Sequence, residues 1–404
     1  KNENIVLSSL SSFQGKQTMN QYFPSTIRLC LTVALIAILG LLKIRISSRE
    51  NVDEKLKTHD NLKSAMKGIT NTSVTINDAL EGFVNKSCNL GSEKWLGTYK
   101  WQRKAPAFLI IGAKKCGTTS LFQYMRQHPN VIKPIMKELL MFIPHRFNYW
   151  QEPKNYDSKV MVQPARKDMY DNLYPIQDIK RDPSLMSFEA TPDYLLYSTY
   201  STKAILCTAP WVKILVTLRN PVDRVFSHYN FLSDPNLMRK KPSAKPKISF
   251  DEWIQKDMLR LKEYGIIPKD DDIDSFMGSP RERDAWRNYQ KMGAAFDRPL
   301  ARSLYAIQLE EWFEALQSIG RDPQKSVFII REEELKSNPH RVVNNIFSWL
   351  GLRNIEIKAE KKFLVTNYTS FMSNETRTML EDFYRPYNQR LYKLLGKEWK
   401  GIWD

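Results

Sequence analysis

The chain has 404 residues, 42% hydrophobic, 12% aromatic and 26% charged, a balance that fills a sizeable core and excludes wholesale disorder. Lys and Arg outnumber Asp and Glu by 61 to 44, a formal charge of +17, which favours an anionic partner. Four cysteines are too few for a disulfide-built scaffold, and their spacing matches no zinc pattern, so no metal site is predicted.

Residues 1–26 read as a polar tail. Residues 27–46 contain the uncharged run Leu29 to Leu42, LCLTVALIAILGLL, between Arg28 and Lys43. The run is short for a membrane span, which needs about 20 residues. Ile27, Ile44 and Ile46 extend it, and the flanking cations can snorkel. A transmembrane signal anchor is the expectation, with a cleaved signal peptide or a buried helix as alternatives. The flanking charges taken alone would put the C-terminal side in the cytosol. Residues 47–104 are polar, without sustained periodicity, and read as a stem. Glycosylation sequons start at Asn71 and Asn85, and again at Asn367 and Asn374, weak support for a secretory location.

A folded domain is expected over 105–404. Ala107 to Ile111, Val212 to Leu218 and Val327 to Ile330 read as buried parallel strands. Helical spacing appears at Leu121, Phe122, Tyr124 and Met125, stopping before Pro129. It returns after Pro221, at Leu304, Ile307, Trp312 and Leu316, and from Val342 to Leu350. Strands alternating with helices predict an α/β fold, a P-loop-like parallel sheet with helices on both faces. Residues 234–284 read as an insertion, with a basic and an acidic run in a solvated loop.

Chemistry concentrates after the first strand, in Gly112-Ala113-Lys114-Lys115-Cys116-Gly117-Thr118-Thr119-Ser120. A strand, a glycine turn and a helix start gather backbone N–H groups around an anion. The glycine spacing equals that of a Walker A loop, but Thr118 stands where its lysine would, and the second strand leads to Arg219 rather than a Walker B acid. This argues against a kinase or NTPase and for a nucleotide placing a single phosphate in the loop. Arg219 leaves a strand end where open α/β sheets bind ligands, and Ser227 follows two helical turns on, so the pair can clamp a second phosphate. Alternatively, Arg224 pairs with Asp223 or a nearby Glu, and Ser227 faces solvent.

Together these stretches resemble the 5′-phosphosulfate loop and 3′-phosphate motif of sulfotransferases that use 3′-phosphoadenosine 5′-phosphosulfate (PAPS). Lys137-Glu138-Leu139-Leu140-Met141-Phe142, Phe188-Glu189-Ala190-Thr191-Pro192-Asp193-Tyr194, Leu304-Tyr305 with Trp312, and Asn338-Pro339 to Leu352 resemble further segments of the Golgi carbohydrate branch, in the same order. Lys115 to Thr119 and the tail Glu381 to Asn388 most resemble N-acetylgalactosamine 4-sulfate 6-O-sulfotransferases, then heparan sulfate sulfotransferases. A Lys-Gly-Arg loop and a late cysteine pair of the heparan enzymes are missing, and Ala190 stands where several have lysine, leaving the acceptor open.

The resemblance implies PAPS as cofactor, with no metal needed, and an anionic carbohydrate acceptor such as a glycosaminoglycan. It also implies a Golgi, type II membrane protein with its catalytic domain in the lumen. No reading helix or aromatic–basic cluster points to nucleic acid. A protein or small-molecule hydroxyl is the other acceptor class. Lys115, Cys116, Gly117, Thr118, Thr119, Ser120, Arg219 and Ser227 are the expected cofactor residues. Lys115 is also the expected electrophile, and Glu138 the general base, unless it is a surface carboxylate paired with Lys137. His228 is the rival base, since imidazole suits neutral pH. Cys116 reads as a spacer, and a Cys88–Cys207 disulfide stays open.

Overall fold

In the computed structural model of the chain, the described residues are 104–143, 173–236, 246–268, 273–290, 298–359, 368 and 370–404. The apolar run 29–42, the stem, Cys88, the side chain of Cys207 and the sequons at Asn71, Asn85 and Asn367 lie outside them. Among the described residues no helix is long and apolar enough to cross a membrane.

Short apolar runs build the sheet: β1 (Phe108–Gly112), β2 (Val131–Ile132), β3 (Met186–Ala190), β4 (Lys213–Leu218) and β5 (Val327–Arg331). They lie in the order β2-β3-β1-β4-β5, and every pairing is parallel. Strand side chains alternate between faces. Leu109, Ile111, Ile214 and Val216 therefore enter one core, while Phe108, Ile110, Phe188 and Leu215 enter the other. Phe108 stacks on Phe188 across the β1–β3 pair, ring centroids 4.8 Å apart.

The longer helices are α1 (Thr118–Met125), α2 (Ser198–Thr208), α3 (Pro221–Ser233), α4 (Phe250–Glu263), α5 (Pro280–Gln290), α6 (Tyr305–Ser318), α7 (Pro339–Leu350) and α8 (Asn374–Leu395). The second core takes Leu121 and Phe122 of α1 with Val343 and Phe347 of α7. Ile205 of α2, Val225 of α3, Ile254 of α4, Trp286 of α5, Trp312 of α6 and Tyr384 of α8 fill the first. Helices cover both faces, which is why the strands are apolar on both sides.

The three expected strands form within one residue of the predicted ends. Two strands were not anticipated: β2 has two residues, and β3 (MSFEA) carries a buried Glu189 that interrupts its apolar run. Most of the basic and acidic runs of 234–284 lie outside the described residues, but the described part is not simply a solvated loop. Ser249 caps α4 in a reciprocal capping box with Glu252, which satisfies end groups that water would otherwise have to serve. Phe250, Ile254 and Leu261 then bury into the first core.

Strand order also fixes where a ligand fits. After β1 the chain runs to β2 on one edge, whereas after β4 it continues to β5 on the other. The adjacent ends of β1 and β4 thus send their loops apart, opening the crevice that α/β sheets use for ligands.

Candidate active site

The loop after β1 is tied to β4. Ala113 N donates to Thr217 O at 2.7 Å, and Thr217 Oγ1 donates to Gly112 O at 3.1 Å. A Cβ on Gly112 would lie 2.6 Å from Leu195 Cβ, so only glycine lets the loop pass there. Lys115 and Gly117 both have positive φ, 72° and 79°, and Cys116 N closes the turn on Ala113 O at 3.1 Å. The N-cap of α1 is Gly117, which has no side chain to offer. First-turn N–H groups are left without a side-chain cap, the arrangement that receives an anion.

The ammonium of Lys115 sits 4.0 Å from the Phe231 ring centroid. Burial, then the charges of Lys114 and Arg219, pull its pKa down to about 8, with Cys116 opposing. Cys116 is fully buried, and that burial pushes its thiol up to about 12. A thiol so raised carries no thiolate at neutral pH, in keeping with a packing role. Its Sγ lies 3.7 Å from the Tyr305 hydroxyl, which donates to Arg219 O at 3.0 Å. Tyr305 therefore joins the loop to the end of β4.

Arg219 lies with its Nε 3.9 Å from Glu332 Oε2. Burial alone would lower its pKa, but Glu332 and Tyr368 more than offset this and it is raised. Asn220 caps α3, accepting from Val222 N at 2.9 Å, with Pro221 in the first turn. Ser227 and Arg224 are buried on this helix, so neither of their surface alternatives holds. Arg224 instead donates to Lys114 O at 3.5 Å and to Ser303 Oγ and Pro299 O, while Asp223 pairs with Arg377 at 3.4 Å. The guanidinium thus braces the loop after β1. His228 is fully buried, edge-on to Trp253 at 5.8 Å. Burial first, then Lys114, Arg224, Arg302 and Lys115, hold its pKa well below 6.5. It stays neutral, away from solvent.

From the other side comes the segment after β2. Lys137 Nζ donates to Thr119 Oγ1 at 3.0 Å and to Glu138 Oε1 at 2.8 Å. Glu138 is therefore both half-exposed and paired with Lys137, and that pair ties it to the start of α1. The fold brings together the 112–120 loop, Lys137–Glu138 and Arg219, with Ser227 two turns along α3. Sequence reading missed what Lys137, Arg224, Tyr305 and Phe231 do. A buried polar or charged side chain is the signal for such roles, but burial is not visible in the chain alone. Among the described residues no group of three or more His, Cys, Asp or Glu side chains is disposed to hold a metal ion.

A glycine turn and an uncapped helix start at the β1–β4 switch point, with an arginine leaving the end of β4, form the candidate site of this α/β fold. The chain belongs to the sulfotransferase domain family, whose pattern matches residues 105–401. Among curated relatives, the membrane-associated sulfotransferase kil1 of Dictyostelium discoideum is 23% identical over 340 residues, covering 73% of this chain and 66% of that protein. Human carbohydrate sulfotransferase 15 is 22% identical over 346 residues, 74% of this chain and 55% of that protein. Mouse bifunctional heparan sulfate N-deacetylase/N-sulfotransferase 4 is 23% identical over 319 residues, 72% of this chain and 30% of that protein. The chain thus spans less than two thirds of the length of these relatives. A solved sulfotransferase from Alicyclobacillus acidocaldarius is 24% identical, with a TM-score of 0.46 over 72% of this chain and 95% of that one.

Proposed function

We propose that this protein transfers a sulfuryl group from PAPS to a hydroxyl of an anionic carbohydrate, a glycosaminoglycan or other acidic polysaccharide. The observation that supports this reading is an uncapped helix start and an arginine placed at one crevice. The uncapped start of α1 lies on one side, and Arg219, with Ser227 further along α3, on the other. A nucleotide with phosphates at both its 5′ and 3′ positions has the matching charge pattern, and the donor set is N–H, hydroxyl, ammonium and guanidinium throughout. The residues present fit that group. The acceptor class is argued from the +17 charge and from relatives named for carbohydrate and heparan sulfate. The N-acetylgalactosamine 4-sulfate 6-O type and Golgi membrane anchoring through residues 27–46 belong to the same proposal.

Bound PAPS would supply an activated sulfuryl group on a phosphate leaving group. The work of the chain is to position, deprotonate and neutralise. N–H groups of Gly117, Thr118 and Thr119, with the hydroxyls of Thr119 and Ser120, hold the 5′-phosphate. Lys115, kept close by Phe231, neutralises negative charge developing on the leaving oxygen. Arg219 and Ser227 take the 3′-phosphate. Glu138, held beside Thr119 by Lys137, accepts the acceptor's proton. His228, buried and neutral, packs against Trp253 rather than meeting the acceptor.

The test combines binding and turnover. Calorimetry with 3′,5′-adenosine bisphosphate should show binding without magnesium, and an Arg219→Ala, Ser227→Ala double variant should lose it. With labelled PAPS and a glycan panel, Glu138→Gln should lower kcat by roughly 10²-fold while bisphosphate affinity stays intact. Unchanged affinity in the double variant refutes the nucleotide site. A His228→Ala protein that is folded but inactive, beside an active Glu138→Gln, reverses the base.

A further inference from the structure

The segment carrying Glu138 has a backbone that does not hold itself. Glu138 and Leu140 both have positive φ, 62° and 58°, a conformation unfavourable for a residue with a side chain. Such geometry persists only where surrounding groups over-determine it. One tie is backbone, from Glu138 N to Ala190 O at 3.1 Å. Two more end on side chains: Leu140 N donates to Thr191 Oγ1 at 3.4 Å, and Met141 N to Tyr194 Oη at 3.1 Å.

Each of those hydroxyls has one proton to give. Thr191 and Tyr194 both give theirs to Glu189 Oε1, at 2.7 Å and 2.6 Å, and Tyr174 donates to Oε2 at 3.2 Å. Glu189 is fully buried near the C-terminal end of β3. With both protons drawn to one carboxylate, the lone pairs of the hydroxyls face the N–H groups of Leu140 and Met141. A buried carboxylate is costly unless such donors satisfy it, so its presence in a sheet core needs a reason. The arrangement provides one.

We infer that Glu189 is a positioning residue: through the hydroxyls of Thr191 and Tyr194 it clamps residues 140–141 and so aims Glu138 at the phosphate loop. This rests on the reading of Glu138 as the base. Glu189 touches neither substrate nor nucleotide. Losing it should therefore lower kcat and leave the nucleotide grip of β1 and β4 alone.

The experiment measures kcat, bisphosphate affinity and amide hydrogen exchange in Glu189→Gln, Tyr194→Phe, Thr191→Val and Thr191→Ser. Glu189→Gln should lower kcat at least tenfold with affinity within twofold. The Leu140 and Met141 amides should exchange at least tenfold faster, while those of β1 and β4 stay protected. Thr191→Ser keeps the hydroxyl and should stay near wild type, whereas Thr191→Val should not. If Glu189→Gln fails to fold, Tyr194→Phe takes its place, since the ring remains and only the hydroxyl that links Glu189 to Met141 N is lost. Folded variants with unchanged kcat, or with unchanged exchange at Leu140 and Met141, overturn the proposal. So does a loss of kcat matched by a loss of affinity. Glu138→Gln is run alongside. If it turns over like wild type, the base reading fails by itself, while the two amides still report whether Glu189 holds the segment.

Discussion

Lys115 is charged at neutral pH in a place that penalises charge. Its pKa of about 8 lies below the ordinary 10.5, so the unfolded chain binds the extra proton between those values. Stability then rises with pH across that window. Below pH 8 the folded, ligand-free protein bears the full cost of the buried ammonium. A phosphate or phosphosulfate in the loop reverses the balance, because an adjacent anion favours the charged form. Bisphosphate affinity should therefore fall as pH rises through about 8, and Lys115→Met should remove that dependence in calorimetry. The same variant should melt higher without ligand, by roughly 2–4 °C for each kcal/mol relieved. A flat pH profile in the unsubstituted protein would show that the ammonium is not the group the anion meets. Phe231 should matter here too, since a ring face 4.0 Å away offsets part of the lost hydration.

At the scale of elements, α8 packs against α6 and α3. It runs 22 residues with Pro386 in its interior, where a missing N–H usually breaks a helix. Burial outweighs that cost: Tyr384, Tyr387 and Leu391 sink into the first core, and Tyr384 donates to Leu300 O at 3.0 Å. Arg390 bonds Glu282 of α5 at 2.6 Å and also reaches Glu310 of α6, joining three helices. Removing one partner of a buried ion pair strands the other, at about 3–5 kcal/mol. Arg390→Met should accordingly lower the unfolding free energy from urea titration by about 3–5 kcal/mol, read as a lower midpoint at unchanged slope, while bisphosphate affinity measured well below the transition is unchanged. An undisturbed midpoint would mean that water reaches Glu282 more readily than its burial implies.

For the whole molecule, lumenal placement is open to a direct test. Of the four sequons, Asn374 lies within the described residues, exposed at the first position of α8, where a glycan meets no packed surface. Expressed in a secretory host, the full chain should shift on a gel after glycosidase treatment. If Asn71, Asn85, Asn367 and Asn374 are all unmodified, a lumenal domain loses its support. The net charge of +17 is a property of the same scale. It raises the local concentration of polyanions without choosing among them.

The strand–turn–helix unit around Gly112 to Ser120 was legible because its parts are neighbours in the chain: β1, the turn and α1 begin and end within 18 residues. Local spacing dictates such a unit, and Arg219 with Pro221 was readable for the same reason. The helical periodicity of α6 and α7 likewise follows from apolar spacing alone. What the tertiary structure decided is which distant residues share a cavity. Tyr305 reaches Cys116 across 189 positions, and Arg224 reaches Lys114 across 110. Glu189 stands in the sequence only as part of a segment that resembles the family, and its burial with donors from Tyr174, Thr191 and Tyr194 exists only in the tertiary structure. That His228 is buried among cations, which lowers its pKa, is likewise a property of the tertiary structure. Chain neighbours are set by covalent spacing, whereas burial and long-range charge exist only once the sheet has brought remote segments together.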